Sequence, residues 1–140
     1  MNLRIIARLL GILMCVLALA MATSIGWSVY YDEPDTILAF LLASVLTLVF
    51  GGALYFYGRR DVGTIGRREA LVVVTVSWFL IGVFGALPYM FDGSFTHFAD
   101  AFFETISGFT TTGSTVLTEI ESLSYGVHYW RSLTHWLGGM

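Results

Sequence analysis

The sequence predicts an all-α integral membrane protein with two leading transmembrane helices, then a helix, a short re-entrant helix, an extended loop and the start of another helix. Composition is the first reason: 56% of the 140 residues are apolar and only 12% are charged, too little polar surface to cover a water-soluble domain. The second reason is three uncharged apolar segments of about 20 residues, the length that crosses a bilayer core as a helix. They run Leu9–Val29, Ile37–Tyr57 and Ala70–Met90.

The first apolar segment has an alternative interpretation as a signal peptide. Arg4 and Arg8 precede it, and Ala20-Met-Ala22 resembles a cleavage site. However, the apolar run continues to Val29, beyond the ~7–15 residues of a signal-peptide core. We therefore expect a retained helix, with cleavage as the alternative.

The arginines predict the orientation of these helices. All seven basic residues are arginines; Arg4 and Arg8 precede the first helix, and four more lie within residues 59–69, between the second and third. By the positive-inside rule, the N-terminus and this loop are cytoplasmic, and the connections after the first and third helices are outside. We expect a multi-pass membrane protein with a cytoplasmic N-terminus.

Small residues and a proline mark the third helix. Gly82 and Gly85, with Ser77, would let another helix approach closely. Pro88, near the end of this segment, is expected to kink or end the helix.

The segment after Met90 is too short to cross the membrane. Apolar residues recur at helical spacing over Phe98–Phe109, and a dozen residues span only about 18 Å as a helix. The sequence GFTTTGST, Gly108–Thr115, follows directly, and a last apolar stretch covers Val127–Met140. This order predicts a re-entrant helix and loop, because irregular backbone at membrane depth must be buried in protein or line a watery path.

The chemistry of the GFTTTGST loop favours a cation over a phosphate. It lacks the lysine of the phosphate-binding pattern G-x-x-x-x-G-K-[ST], since Ser114 stands at that position. The loop follows a helix C-terminus, which carries partial negative charge, and it offers carbonyl and hydroxyl oxygens that suit a dehydrated alkali cation. Gly113 would adopt cheaply the unusual φ that aims successive carbonyls at one axis. An ordinary surface turn is the alternative role for this glycine.

Three ordered motifs carry a family resemblance. Asp100-Ala-Phe-Phe-Glu104, then Ser107-Gly-Phe-Thr-Thr-Thr-Gly113, then Trp130-Arg131 with His135-Trp-Leu-Gly-Gly-Met140 resemble the Trk/Ktr/HKT superfamily of potassium transporters, and within it the bacterial TrkH family. Ala86-Leu-Pro-Tyr89 also fits. The likeness covers the whole chain, including two helices before the first pore unit.

The resemblance implies potassium uptake across the bacterial inner membrane, through a pore of four helix–pore-loop–helix units around a pseudo-fourfold axis. Residues 1–69 would form the leading helices and an arginine-rich loop, and residues 70–140 the first pore unit, truncated in its last helix. The chain would thus be an N-terminal fragment, a partial subunit. Its filter contribution would fall on the main chain of Thr111, Thr112, Gly113 and Ser114, with Thr110 at the inner entrance, where potassium is both bound and transported.

The same resemblance implies partners: the three remaining pore repeats, a second copy in a homodimer, a cytoplasmic nucleotide-binding regulatory subunit like TrkA, and membrane lipid. The coupling ion, if any, stays open. His135 stands where glutamine is more usual in the family, and its role is also left open.

Several ionisable residues near the loop have structural alternatives. For Glu104 we expect hydrogen bonds from loop N–H groups or a pair with Arg131, and for Asp100 a capping role at the start of the short helix. Arg131 either holds loop carbonyls or extends to the outer headgroups. His97 and His128 are expected to be solvated or capping, and Glu119 and Glu121 to form a solvated loop face.

Other function classes have little support in the sequence. The single cysteine, Cys15, lies in an apolar run, and no Cys/His spacing suits a metal. No basic patch suits nucleic acid, and no nucleophile–base pair suggests an enzyme. The remaining alternative is a membrane assembly or sensor module whose Gly/Thr loop does not conduct. Further T-x-G loops downstream would favour the transporter.

Overall fold

The computed structural model describes residues 2–59 and 65–140, and the regular structure in these ranges is helical. The helices are α1 Leu3–Tyr30, α2 Pro34–Gly58, α3 Arg67–Gly85, α4 Leu87–Asp92, α5 Phe98–Phe109 and α6 Tyr125–Gly139, with one 3-10 turn at Ile120–Ser122. The predicted all-α architecture is confirmed, and α5 has the predicted bounds.

Three helical stretches are long and apolar enough to cross a membrane: Leu3–Tyr30, Pro34–Gly58 and Arg67–Asp92. They correspond to the three predicted segments, and each extends beyond its apolar run. The additions include Arg4, Arg8, Arg67 and Arg68, whose long side chains can carry their charge to the headgroups while the backbone stays helical.

The third span is interrupted at Ala86, between α3 and α4. Pro88 lies in the first turn of α4, where its missing N–H costs nothing in that helix. The Ala86 N–H donates to the Gly82 carbonyl oxygen at 3.2 Å, as the last bond of α3. The predicted effect of Pro88, a break near the end of the helix, is confirmed.

Glycines let α1 and α2 pack as a close hairpin. A Cβ on Gly11 would lie 2.7 Å from the Gly51 carbonyl oxygen, and one on Gly51 would lie 2.7 Å from Met14 Cβ. A Cβ on Gly58 would overlap the Arg4 carbonyl oxygen. Close backbone approach at small residues is how helices associate in lipid, where hydrophobicity supplies little attraction between them.

Helix α5 lies against α3 on one side and α6 on another. A Cβ on Gly82 would meet the Phe102 ring, and one on Gly85 would lie 2.6 Å from Thr105 Cγ2, so the predicted close approach at these glycines is confirmed. Trp130 of α6 is fully buried, and its indole N–H donates to the Gly85 carbonyl at 3.2 Å. One part of the short helix is therefore packed against α3 and α6, while Phe98 and Phe103 stay exposed.

Candidate functional site

The C-terminus of α5 turns into the loop through a Schellman arrangement. The Thr112 N–H donates to the Ser107 carbonyl and the Thr111 N–H to the Gly108 carbonyl, each at 2.9 Å. Thr111 occupies the left-handed position, with φ +54°, where glycine is usual. A β-branched residue there is a conformational outlier. The loop thus begins with a strained turn that satisfies the last carbonyls of the helix.

Gly113 also has positive φ, at +75°, in agreement with the prediction that this position needs an unusual backbone. A Cβ built on Gly113 would meet no atom within 4 Å. Any penalty for a side chain here arises from the backbone conformation and not from a clash within the described residues. Thr111 occupies the same left-handed region despite its β-branched side chain.

The chain returning from the loop is fastened to one face of α5. The buried Ser107 hydroxyl donates to the Ser114 carbonyl at 2.5 Å. One helical turn earlier, Glu104 Oε2 accepts from the Thr115 hydroxyl at 2.9 Å and from the Val116 N–H at 3.4 Å. These three bonds fix the position of the return segment, Ser114–Val116, along the re-entrant helix.

Between these attachments, the loop presents backbone oxygens. Among the described residues, no hydrogen-bond donor reaches the carbonyl oxygens of Thr110, Thr111, Thr112 or Gly113. All four residues are exposed. The hydroxyls of Thr110 and Thr112 lie 2.8 Å apart, and the Thr110 hydroxyl also donates to the Ile106 carbonyl at 2.7 Å. The free carbonyls therefore lie on a short, internally braced stretch.

Glu104 is the central polar residue behind the loop. Its side chain is 1% exposed, and its Oε1 lies 2.6 Å from Arg131 Nε, whose side chain is 19% exposed. A buried carboxylate needs such a partner together with hydrogen bonds to its remaining lone pairs. Both structural roles predicted for Glu104 are confirmed. Among the described residues Arg131 is bonded to Glu104, the pair predicted for that carboxylate, and not to a loop carbonyl, so it holds the loop indirectly. Its extension to the outer headgroups stays a prediction.

Helix α6 also packs closely against the end of α5. A Cβ on Gly138 would overlap the Phe109 carbonyl oxygen, and one on Gly108 would overlap the Thr134 hydroxyl. His135 Nδ1 lies 2.8 Å from the Arg131 carbonyl oxygen, so its polar contact is with its own helix. Gly138, the first glycine of the Gly-Gly pair in the last motif, thus has a packing role at the base of the loop.

Comparison with known proteins decides the family. The model of the TrkH cation transport proteins matches residues 36–140. This chain belongs to the TrkH family. It is 36% identical to the Trk system potassium uptake protein TrkH of Halomonas elongata, over 100% of this chain and 29% of that protein. It is 33% identical to TrkH of Escherichia coli K12, with the same two coverages.

A solved relative has the same fold. The crystal structure of the potassium transporter TrkH from Vibrio parahaemolyticus superposes with a TM-score of 0.91 at 28% identity, covering 99% of this chain and 30% of that one. The present TrkH-family chain thus spans less than a third of the length of these relatives. The family model describes cation transport proteins. Among the described residues, no group of three or more His, Cys, Asp or Glu side chains is placed to hold a metal ion.

The remaining predicted candidates lie outside the loop's contact network. Asp100 is in the first turn of α5 as predicted, and His97 holds the N-cap position without a side-chain cap bond. His128 is half-buried in α6, beside Tyr125 and Tyr129. Glu119 and Glu121 are exposed, as predicted.

Sequence reasoning missed two carboxylates that join distant segments of this TrkH-family chain. Glu33 accepts from the Tyr125 and Gly126 N–H groups, and Asp92 accepts from the Thr36 and Ser94 hydroxyls. Glu33 lies between α1 and α2, and Asp92 is the last residue of α4. Their partners lie up to 93 residues away in sequence, and no local pattern specifies such pairs.

Proposed function

We propose that this chain comprises the two leading helices and, in residues 70–140, the first pore unit of a bacterial potassium uptake subunit, and that the backbone oxygens of its loop bind the transported ion. One observation carries the proposal. The carbonyls of Thr110–Gly113 have no donor among the described residues, while the residues on both sides are fixed in place. A dehydrated potassium ion needs several such oxygens in place of its water shell.

The loop supplies these oxygens at low electrostatic strength. Carbonyl and hydroxyl dipoles carry no net charge, and the carboxylate that holds the return segment, Glu104, is paired with Arg131. The α5 C-terminus adds the partial negative charge of a helix end on the same side. Such an environment suits a large monovalent ion, because divalent ions favour direct carboxylate ligands. Ser114 forms the edge of the proposed filter, because its carbonyl already accepts a hydrogen bond from the Ser107 hydroxyl.

One loop cannot surround an ion. Because this chain corresponds to 29% of its relatives, we place three further pore units in the rest of a longer subunit, around a common axis. The relatives are named as proteins of a Trk system. As the family resemblance implies, we propose a cytoplasmic, nucleotide-binding regulatory partner and a homodimer. In the inner membrane, the N-terminus and residues 59–69 would be cytoplasmic, as the arginines indicate.

The test compares two glycines with matching backbone in the complete subunit. Gly113 and Gly93 have φ of +75° and +79°, and a Cβ on either would meet nothing within 4 Å. Serine at either position therefore carries a similar local penalty, about 1 kcal/mol or more. We expect Gly113→Ser to lower rubidium uptake and its preference over sodium, while Gly93→Ser leaves both near wild type.

The measurement is rubidium uptake against increasing external sodium, in a strain without other potassium uptake systems, normalised to protein in the membrane. If Gly113→Ser transports with unchanged rate and sodium sensitivity, the loop is not the filter. A non-conducting role in membrane assembly would then be the better explanation.

A further inference from the structure

The connection between α1 and α2 provides a cap for α6. Glu33 Oε1 accepts from the Tyr125 N–H at 2.8 Å, and Oε2 accepts from the Gly126 N–H at 3.1 Å. These are the first two N–H groups of α6, which lack partners within the helix. Ser124, at the N-cap, makes no side-chain cap bond. A carboxylate from the leading hairpin therefore satisfies the helix start and complements its dipole.

Two further contacts fix the same end of α6. A Cβ on Gly126 would overlap the Ser28 hydroxyl, so α6 begins directly against α1. Asp92, at the end of α4, accepts from the Thr36 hydroxyl at 2.5 Å and lies 3.5 Å from the Ser124 hydroxyl. We call these residues the α6 joint: Ser28, Glu33, Thr36, Asp92, Ser124 and Gly126. The joint connects α1, α2 and α4 to the start of α6.

Helix α6 links the α6 joint to the loop. It runs without interruption from Tyr125 to Gly139, and Arg131 lies less than two turns beyond the capped N–H groups. Arg131 holds Glu104, and Glu104 holds the return segment at Thr115 and Val116. A shift at the start of α6 would therefore displace the group that positions the loop.

We propose that Glu33 is a positioning residue for the ion filter, so that the leading hairpin sets the filter geometry through the α6 joint. This inference rests on the proposed function of the loop. It gives the two helices outside the pore unit a direct part in selectivity, through a residue that does not contact the ion.

The first experiment compares two acids of one connection in the complete subunit. Glu33→Gln removes one of the two acceptor oxygens at the helix start. Asp32→Asn removes the same charge at an exposed residue with φ +54°, which asparagine tolerates. We expect Glu33→Gln to lower the preference for rubidium over sodium about fivefold, the change that about 1 kcal/mol gives. Asp32→Asn should match wild type.

The second experiment removes a single N–H. Tyr125→Pro eliminates the donor to Glu33 Oε1 at the first helical position, where proline is well tolerated. Ser124 already has φ −60° and ψ 151°, the region that a following proline requires. Its control is Tyr125→Ala, which keeps the N–H and likewise loses the ring stacked on Tyr31 at 4.0 Å. We expect Tyr125→Pro to be less selective than Tyr125→Ala.

The outcomes separate this inference from the proposed function. It is overturned if Tyr125→Pro and Tyr125→Ala are equally selective, or if Glu33→Gln reduces only the amount of protein in the membrane. Gly113→Ser is measured in parallel. If it alters selectivity and the Glu33 and Tyr125 variants do not, only the positioning role fails. If it too has no effect, the loop is not the filter and both proposals fail.

Discussion

Replacing Arg131 by methionine would remove the cation that pairs with Glu104 while keeping most of the stem's packing. Glu104 would then be a carboxylate at 1% exposure whose remaining bonds come from Thr115 and Val116. Breaking a buried pair from one side typically costs about 3–5 kcal/mol, because a charge is left buried without its partner. We expect Arg131→Met to be strongly destabilising.

Glu104→Gln should be milder. The carboxylate uses Oε1 toward Arg131 and Oε2 toward the return segment, whereas an amide has one acceptor oxygen for the two directions. One side therefore loses its bond, at a cost of about 1.5–3 kcal/mol for a hydrogen bond to a charged group. Because the two residues act as a unit, the double variant should be more stable than the sum of the single effects predicts, by roughly 0.5–3 kcal/mol.

The assay has two parts, both on the complete subunit. Thermal unfolding in detergent gives the order of stabilities, and rubidium uptake against sodium gives selectivity per inserted molecule. Glu121→Gln, at an exposed acid beyond the return segment, is the control for loss of charge. Additive effects of the two substitutions, together with wild-type selectivity in Glu104→Gln, would refute the argument that this pair positions the loop.

Two other predictions concern packing and orientation. Gly138→Ala should destabilise the subunit by about 1–3 kcal/mol, because its Cβ would overlap the Phe109 carbonyl. Gly139→Ala should be neutral or stabilising, because its Cβ would lie 3.7 Å from Thr111 Cγ2. Equal melting temperatures for the two variants would contradict this packing. The second prediction uses cysteines at three exposed positions in a Cys15→Ala background. A membrane-impermeant maleimide should label Asp35→Cys and Thr96→Cys on intact cells but should not label Ile65→Cys. The opposite labelling pattern would invert the proposed topology.

Local chemistry in the sequence accounts for the helices. The bounds of Phe98–Phe109 were predictable, because turn residues precede the helix and a Gly/Thr run follows it. The transmembrane spans were predictable from length and apolar content, though the flanking arginine turns were not. Gly82 and Gly85 indicated close packing, because a missing side chain within an apolar helix has few other uses.

Long-range polar pairs could not be predicted in the same way. Glu33 lies in a short connection and Asp92 at the end of α4, where acidic residues are ordinarily solvated. Their hydrogen-bond partners depend on how the helices assemble. Glu104 and Arg131 were an exception. A carboxylate within a re-entrant segment must be neutralised, and one arginine lay near enough in the predicted topology to do so.

The positive φ of Thr111 is the feature least expected from sequence, and it bears on how the loop works. A β-branched residue in the left-handed region costs on the order of 1–3 kcal/mol, which the surrounding bonds must offset. Those bonds are the two Schellman bonds to Ser107 and Gly108, and the attachments of Ser114 and Val116 to α5. Because both ends are held, the chain between them cannot relax into a more favourable turn. The carbonyls from Thr110 to Gly113 are thereby kept from satisfying one another, and in the proposed function they bind the ion. In this arrangement the strain at Thr111 and the free oxygens beside it have one cause, the fastening of the loop to the helix that precedes it.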